Sequence, residues 1–282
     1  MRSDFLSLVT AELFLLRKRA STWIILGIWL AVTAIFAYIF EYVSYRGGSS
    51  EFADSLDSLL PAALVSNISE GMPFYGGSLV LILGVLSIGS EFGWGTWKTL
   101  LTQRPGRSTI FGAKMVALGI ALIPFVVLAF ALGAVASVTI ATVEDAAITW
   151  PGAQALIESM LSSWLILAVW AGGGVALAMV TRGTSLAIGA GILWGLAFEG
   201  LLSAFASSVS WLEWLVDGLI RANGYSLVRA IAEPGGAGPG ADGPGAFSGP
   251  YVSGTQAVIT LGVYLAVFLG GSLLLLKRRD VA

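Results

Sequence analysis

Residues 116–136 read VALGIALIPFVVLAFALGAVA, an apolar run without a charged side chain. A bilayer core about 30 Å thick takes roughly 20 residues of helix to cross, so this run alone is long enough to span. The other structure that satisfies its own backbone in lipid is a closed β-barrel, whose strands alternate apolar and polar residues in shorter segments. This run does not alternate, so it reads as helix. Working outward from it, six stretches reach spanning length, near 22–43, 74–90, 115–141, 160–180, 184–209 and 255–276. Composition agrees: 56% hydrophobic and 11% charged residues, with a mean hydropathy of +0.86, lie outside the range of soluble globular domains. The expected fold class is an all-α polytopic membrane protein with six transmembrane helices, one membrane domain over 1–282 and no separate soluble domain.

Positive charge orients the spans. With a cytosolic N-terminus, 12 of the 15 basic residues fall on inner segments, leaving Arg46, Arg221 and Arg229 outside. That is the positive-inside bias, and six spans return the KRRD terminus to the same side, so both termini are expected to be cytosolic. The first apolar run is too long for a signal-peptide core and lacks a clear cleavage site. Ahead of it, Phe5, Val9, Leu13 and Leu16 recur at helical spacing beside the cluster Arg17, Lys18, Arg19. The spacing predicts an interfacial N-terminal helix with its apolar stripe in lipid and its basic end near anionic headgroups. A cytosolic continuation of the first span is the alternative.

What is missing narrows the chemistry. With no Cys and no His there is no thiolate nucleophile, imidazole base or imidazole metal ligand, so no metal site is expected. No GxxxxGK[ST] loop is present, so a P-loop nucleotide site is absent from this chain. Residues 234–250, with 7 Gly and 4 Pro, read as a flexible external loop. The net charge of −2 gives no sign of a nucleic-acid partner.

Between the second and third spans lies a polar, basic island, EFGWGTWKTLLTQRPGRSTIFGAK, from Glu91 to Lys114. Within it, Trp97, Leu100 and Leu101 share one helical face, and Pro105 with Gly106 stops the helix. Such an amphipathic element either rests on headgroups or docks into a groove on a soluble partner. The acid ending the second span, then Gly95-Thr96, Lys98, Leu100-Leu101, Pro105, Arg107 and Lys114, resembles the permease subunits of ABC-2 type transporters. The likeness extends to the six spans, the N-terminal helix, the short loop after the fourth span and the long outer segment before the sixth.

That resemblance implies a transport subunit, not an enzyme, in the cell membrane of a bacterium. It implies a dimer of permeases, with itself or with a sister chain, and two cytosolic P-loop ATPase subunits that bind ATP and Mg²⁺. By position, Gly95 to Gln103 would be a coupling helix held by the ATPase, with Glu91, Gly95, Thr96, Trp97, Lys98, Leu100, Leu101, Arg104 and Arg107 as contact residues. Lys98, Arg104 and Arg107 would meet acids or lipid phosphates. Glu91 is either an interfacial carboxylate or a salt-bridge partner of the N-terminal helix, for example of Arg17 or Lys18. A self-sufficient carrier or channel, or a membrane scaffold, are the readings from other classes; a carrier would ordinarily carry more charge within its spans.

Outside the island, Trp211, Leu215, Leu219 and Ile220 form one face of an outer helix expected over 211–232, re-entrant or interfacial, with an Asp217–Arg221 pair available at four-residue spacing. Glu199 is the ionisable residue within the fifth span: it either marks a translocation path or sits near the outer water. Gly172–Gly174, Gly191 with Gly195, and Gly270 with Gly271 permit close helix approach, and Pro124 is expected to kink the third span.

Overall fold

The computed structural model describes residues 2–48, 56–93, 95, 106–206, 213–232 and 251–278, which are mostly helical with no strand among them. Among the described residues, six helices are long and apolar enough to cross a membrane, as a multi-pass membrane protein requires. The N-terminal helix α1 runs Arg2–Lys18. The spans are α2 (Ala20–Gly47), α3 (Pro61–Gly93), α4 (Arg107–Val143), α5 (Ala153–Thr181) and α6 (Ser185–Phe205). After a single turn at Glu213–Val216, helix α7 covers Ile220–Ala232, and α8, the last span, covers Gly254–Arg278. Between α5 and α6 the connection is a tight turn in which Arg182 takes φ 55°.

The α3 and α5 pair forms the centre of the bundle, and small residues let their backbones touch. A Cβ placed on Gly84 would lie 2.1 Å from the Ala171 carbonyl oxygen, and one on Gly174 would lie 2.2 Å from that of Leu81. In lipid, where burial of apolar surface gives no net drive, such close approach is what holds helices together. Gly191 and Gly195 serve the same purpose for α6, meeting Leu81 and Trp170, whereas Gly270 and Gly271 of α8 have open space beside them.

The third span breaks where expected. Pro124 has no N–H to offer the preceding turn, and the helix is interrupted at Leu122, between the segments Arg107–Ala121 and Ile123–Val143. Two indoles donate into the backbone on either side: Trp164 Nε1 to the Gly119 carbonyl at 2.9 Å and Trp29 Nε1 to the Phe125 carbonyl at 3.1 Å. Neighbouring helices are thus tied to the backbone on either side of the proline.

Helix α1 departs from expectation. Its stripe of Val9 and Leu16 is buried against Ala113 and Ala117 of α4, with Phe5 and Leu13 packed alongside. The stripe therefore faces protein, while Leu6, Phe14 and Leu15 are the apolar side chains left exposed. Ala113 and Ala117 leave room on α4 for the larger residues of α1, which is why the contact forms there.

Candidate functional site

Where α1, α3 and α4 meet, three charged side chains converge. Lys114, just before the long apolar run of α4, is almost completely buried and binds two carboxylates: Glu91, from the last turn of α3, and Glu12 of α1 at 2.8 Å. A buried ammonium is tolerated only when paired, and here the pairing joins three elements. Close by, Arg19 donates to the Leu86 carbonyl of α3 at 2.9 Å, and Arg107 at the start of α4 donates to the Leu276 carbonyl of α8 at 3.3 Å. The ends of α3, α4 and α8 and all of α1 are therefore tied at one end of the bundle.

In place of the expected salt bridge to Arg17 or Lys18, Glu91 is joined to the N-terminal helix indirectly, through Lys114. Its partner is Lys114, and α1 contributes Glu12 instead of a base. The sequence carried a signal for this: Glu12 sits between Val9 and Leu16 on the stripe that packs against α4, so its carboxylate is directed to the same surface. Of the other island residues, Gly95 adopts φ 66°, the left-handed region that suits glycine. Thr96, Trp97, Lys98, Leu100, Leu101 and Arg104 lie outside the described residues, as does the Gly-rich stretch 234–250.

At the far side of the bundle, Glu199 is fully buried. One carboxylate oxygen accepts the Trp194 indole N–H at 2.7 Å and the other accepts the backbone N–H of Arg221 at 2.8 Å. The π-helical turn Leu193–Phe198 just before it brings Trp194 within reach. Arg221 is the second residue of α7, so Glu199 places a carboxylate on a backbone N–H that has no partner within the helix, at its N-terminus, an arrangement that backbone polarity favours. The guanidinium of Arg221 lies 4.7 Å from the centre of the Phe74 ring and is buried. That burial replaces the expected Asp217–Arg221 pair, and in place of one helix over 211–232 the described part is a turn and then α7. Asn223 holds the intervening bend by donating to the Asp217 and Leu219 carbonyls, both at 2.8 Å.

A third polar contact joins the ends of α2 and α4, where Arg46 meets Glu144 at 3.1 Å and Tyr42 donates to the same carboxylate at 2.7 Å. Among the described residues, no three acidic side chains converge as a metal ion would need.

The family model described as "Protein of unknown function (DUF2705)" matches residues 31–282, nearly the whole chain. The chain belongs to the DUF2705 family. Glu91, Lys114, Glu199 and Arg221 all lie inside the segment that defines DUF2705, whereas Glu12, the α1 partner of Lys114, precedes it. No curated protein matches the chain.

Proposed function

We propose that this chain is the membrane-spanning permease subunit of an ATP-binding cassette exporter of the ABC-2 type. It works with a second permease chain and two cytosolic P-loop ATPase subunits, which bind ATP and Mg²⁺, and it moves a hydrophobic or amphipathic cargo. The observation that carries the reading is the convergence of Glu12, Lys114 and Glu91. Glu91 and Lys114 flank the island from both sides, so their contact closes its two ends onto each other and onto α1. A push on residues 95–103 is then delivered to α1, α3 and α4 together, as a lever requires. In this mechanism nucleotide bound on the ATPase shifts the populations of two arrangements of the permease, because it favours the closed ATPase dimer.

The experiment is isolation of the intact assembly from its native membrane, followed by reconstitution. Co-isolation of a P-loop ATPase whose hydrolysis drives transport, with coupling lost on alanine substitution at Trp97, Lys98 and Leu101, is the expected result. Transport by this chain alone in liposomes, or full coupling in the triple alanine variant, overturns the reading.

A further inference from the structure

Helices α6 and α8 both lean on α5, and between them a cavity of about 390 Å³ opens over its C-terminal half. This volume is that of a small-molecule site. Its walls are Gly173 and Leu177 of α5, Trp194 of α6, and Tyr264 and Phe268 of α8, and Ile220 at the start of α7 closes one end. The wall runs on into the outer apolar face of the bundle, since the lining residue Val180 is 57% exposed and Leu193 and Val267, on the flanking helices, are 67% and 61% exposed.

Two of the polar side-chain atoms along the wall are already committed, and the third, the Trp170 N–H, is buried with no hydrogen-bond partner among the described residues. Trp194 Nε1 donates to Glu199 and the Tyr264 hydroxyl donates to the Gly218 carbonyl at 2.8 Å. The Trp170 N–H is turned toward α3, where a Cβ on Gly77 would lie 2.4 Å from its nitrogen. With the Trp170 N–H directed at α3, an occupant is offered no free side-chain donor, and any polar group it brought in would lose its water with little compensation. Water gains nothing there either, since it needs polar partners to be held. Size, apolar lining and continuity with the lipid-facing surface leave one chemistry.

We propose that this cavity binds one acyl chain of a bilayer phospholipid, entering sideways between α6 and α8 while the headgroup stays outside. The site is a fixed one, distinct from the lipid that covers the exposed spans, because its walls come from α3, α5, α6 and α8 and its closed end is pinned by the Glu199 contact to Arg221. This inference stands whether or not the chain is a transporter.

The test uses the full chain in nanodiscs of a phosphatidylcholine carrying a diazirine midway along one acyl chain. After illumination, cross-links are mapped by peptide mass spectrometry. Cross-links are expected to concentrate on the cavity walls around Leu177, Trp194 and Phe268, above those at an exposed lipid-facing position such as Val135. Ala176→Trp and Ala190→Trp, which fill the cavity from two sides, are expected to lower wall labelling about tenfold, and Val135→Trp to leave it unchanged. Equal labelling of the walls and of Val135 in the unaltered chain overturns the proposal, and that map decides the matter even where a tryptophan variant fails to fold. Undiminished wall labelling in folded Ala176→Trp and Ala190→Trp proteins overturns it as well.

Discussion

The backbone N–H of Arg221 donates to the Glu199 carboxylate at 2.8 Å, joining the fifth span to the first turn of α7. With Trp194 on the other oxygen, the acid is occupied by the protein itself. Glu199 therefore acts first as a fastening for α7, whatever part it plays in a path.

Removing that fastening should loosen α7. Glu199→Leu leaves the Arg221 N–H buried without an acceptor, a cost of about 1–3 kcal/mol, and takes the partner from the Trp194 N–H, whereas Glu199→Gln keeps one good acceptor oxygen. The chain has no cysteine, so a single Ser226→Cys reports on burial of α7. Maleimide labelling of that cysteine should rise strongly with Glu199→Leu and little with Glu199→Gln. Equal labelling in both backgrounds would show that α7 is held by its packing alone.

The Lys114 cluster should behave as a unit. Lys114→Met strands two carboxylates and is expected to cost about 3–5 kcal/mol, read as a lowered thermal midpoint in detergent. Adding Glu12→Gln and Glu91→Gln to Lys114→Met should recover much of the loss, since uncharged amides are easier to bury. No recovery in the triple variant would mean that the lysine stem, not the charge, supports the junction.

The contact between Arg46 and Glu144 should matter much less. Arg46 is 61% exposed, and exposed pairs of this kind contribute up to about 1 kcal/mol and weaken with salt. Arg46→Ala should shift the thermal midpoint slightly, and less at high ionic strength. A loss as large as that of Lys114→Met would contradict this ranking.

Glycine substitutions should divide sharply by position. Gly84→Ala drives a methyl into the Ala171 carbonyl at 2.1 Å, so α3 and α5 must separate, while Gly262→Ala meets nothing within 4 Å. Size-exclusion profiles should show Gly84→Ala aggregated or poorly folded and Gly262→Ala unchanged. A normal profile for Gly84→Ala would place the strength of the bundle elsewhere.

Most of the architecture was legible because it depends on properties that accumulate along the chain. The six spans fall close to their expected places, although α3 begins at Pro61, well before residue 74. Its early part, including the π-helical turn Met72–Gly76, is broken by Gly71 and Pro73 and lacks an unbroken apolar run. The Pro124 interruption was equally readable, being a local consequence of a missing N–H. Helix α7 was found as a helix but not as a buried one: spacing offered Arg221 to Asp217, whereas the surrounding α3, α5 and α8 cover Arg221, Asn223 and Ser226.

The sequence by itself determined that this is a helical membrane protein with six spans, because hydropathy and helix length are sums over neighbouring residues. Only the tertiary structure decided which charge meets which. Lys114 finds Glu12 across 102 positions of chain and Glu199 finds the N–H of Arg221 across 22. Such pairings depend on how helices come to lie against one another, and a buried charge takes the partner that packing brings within reach before one that is merely near in sequence.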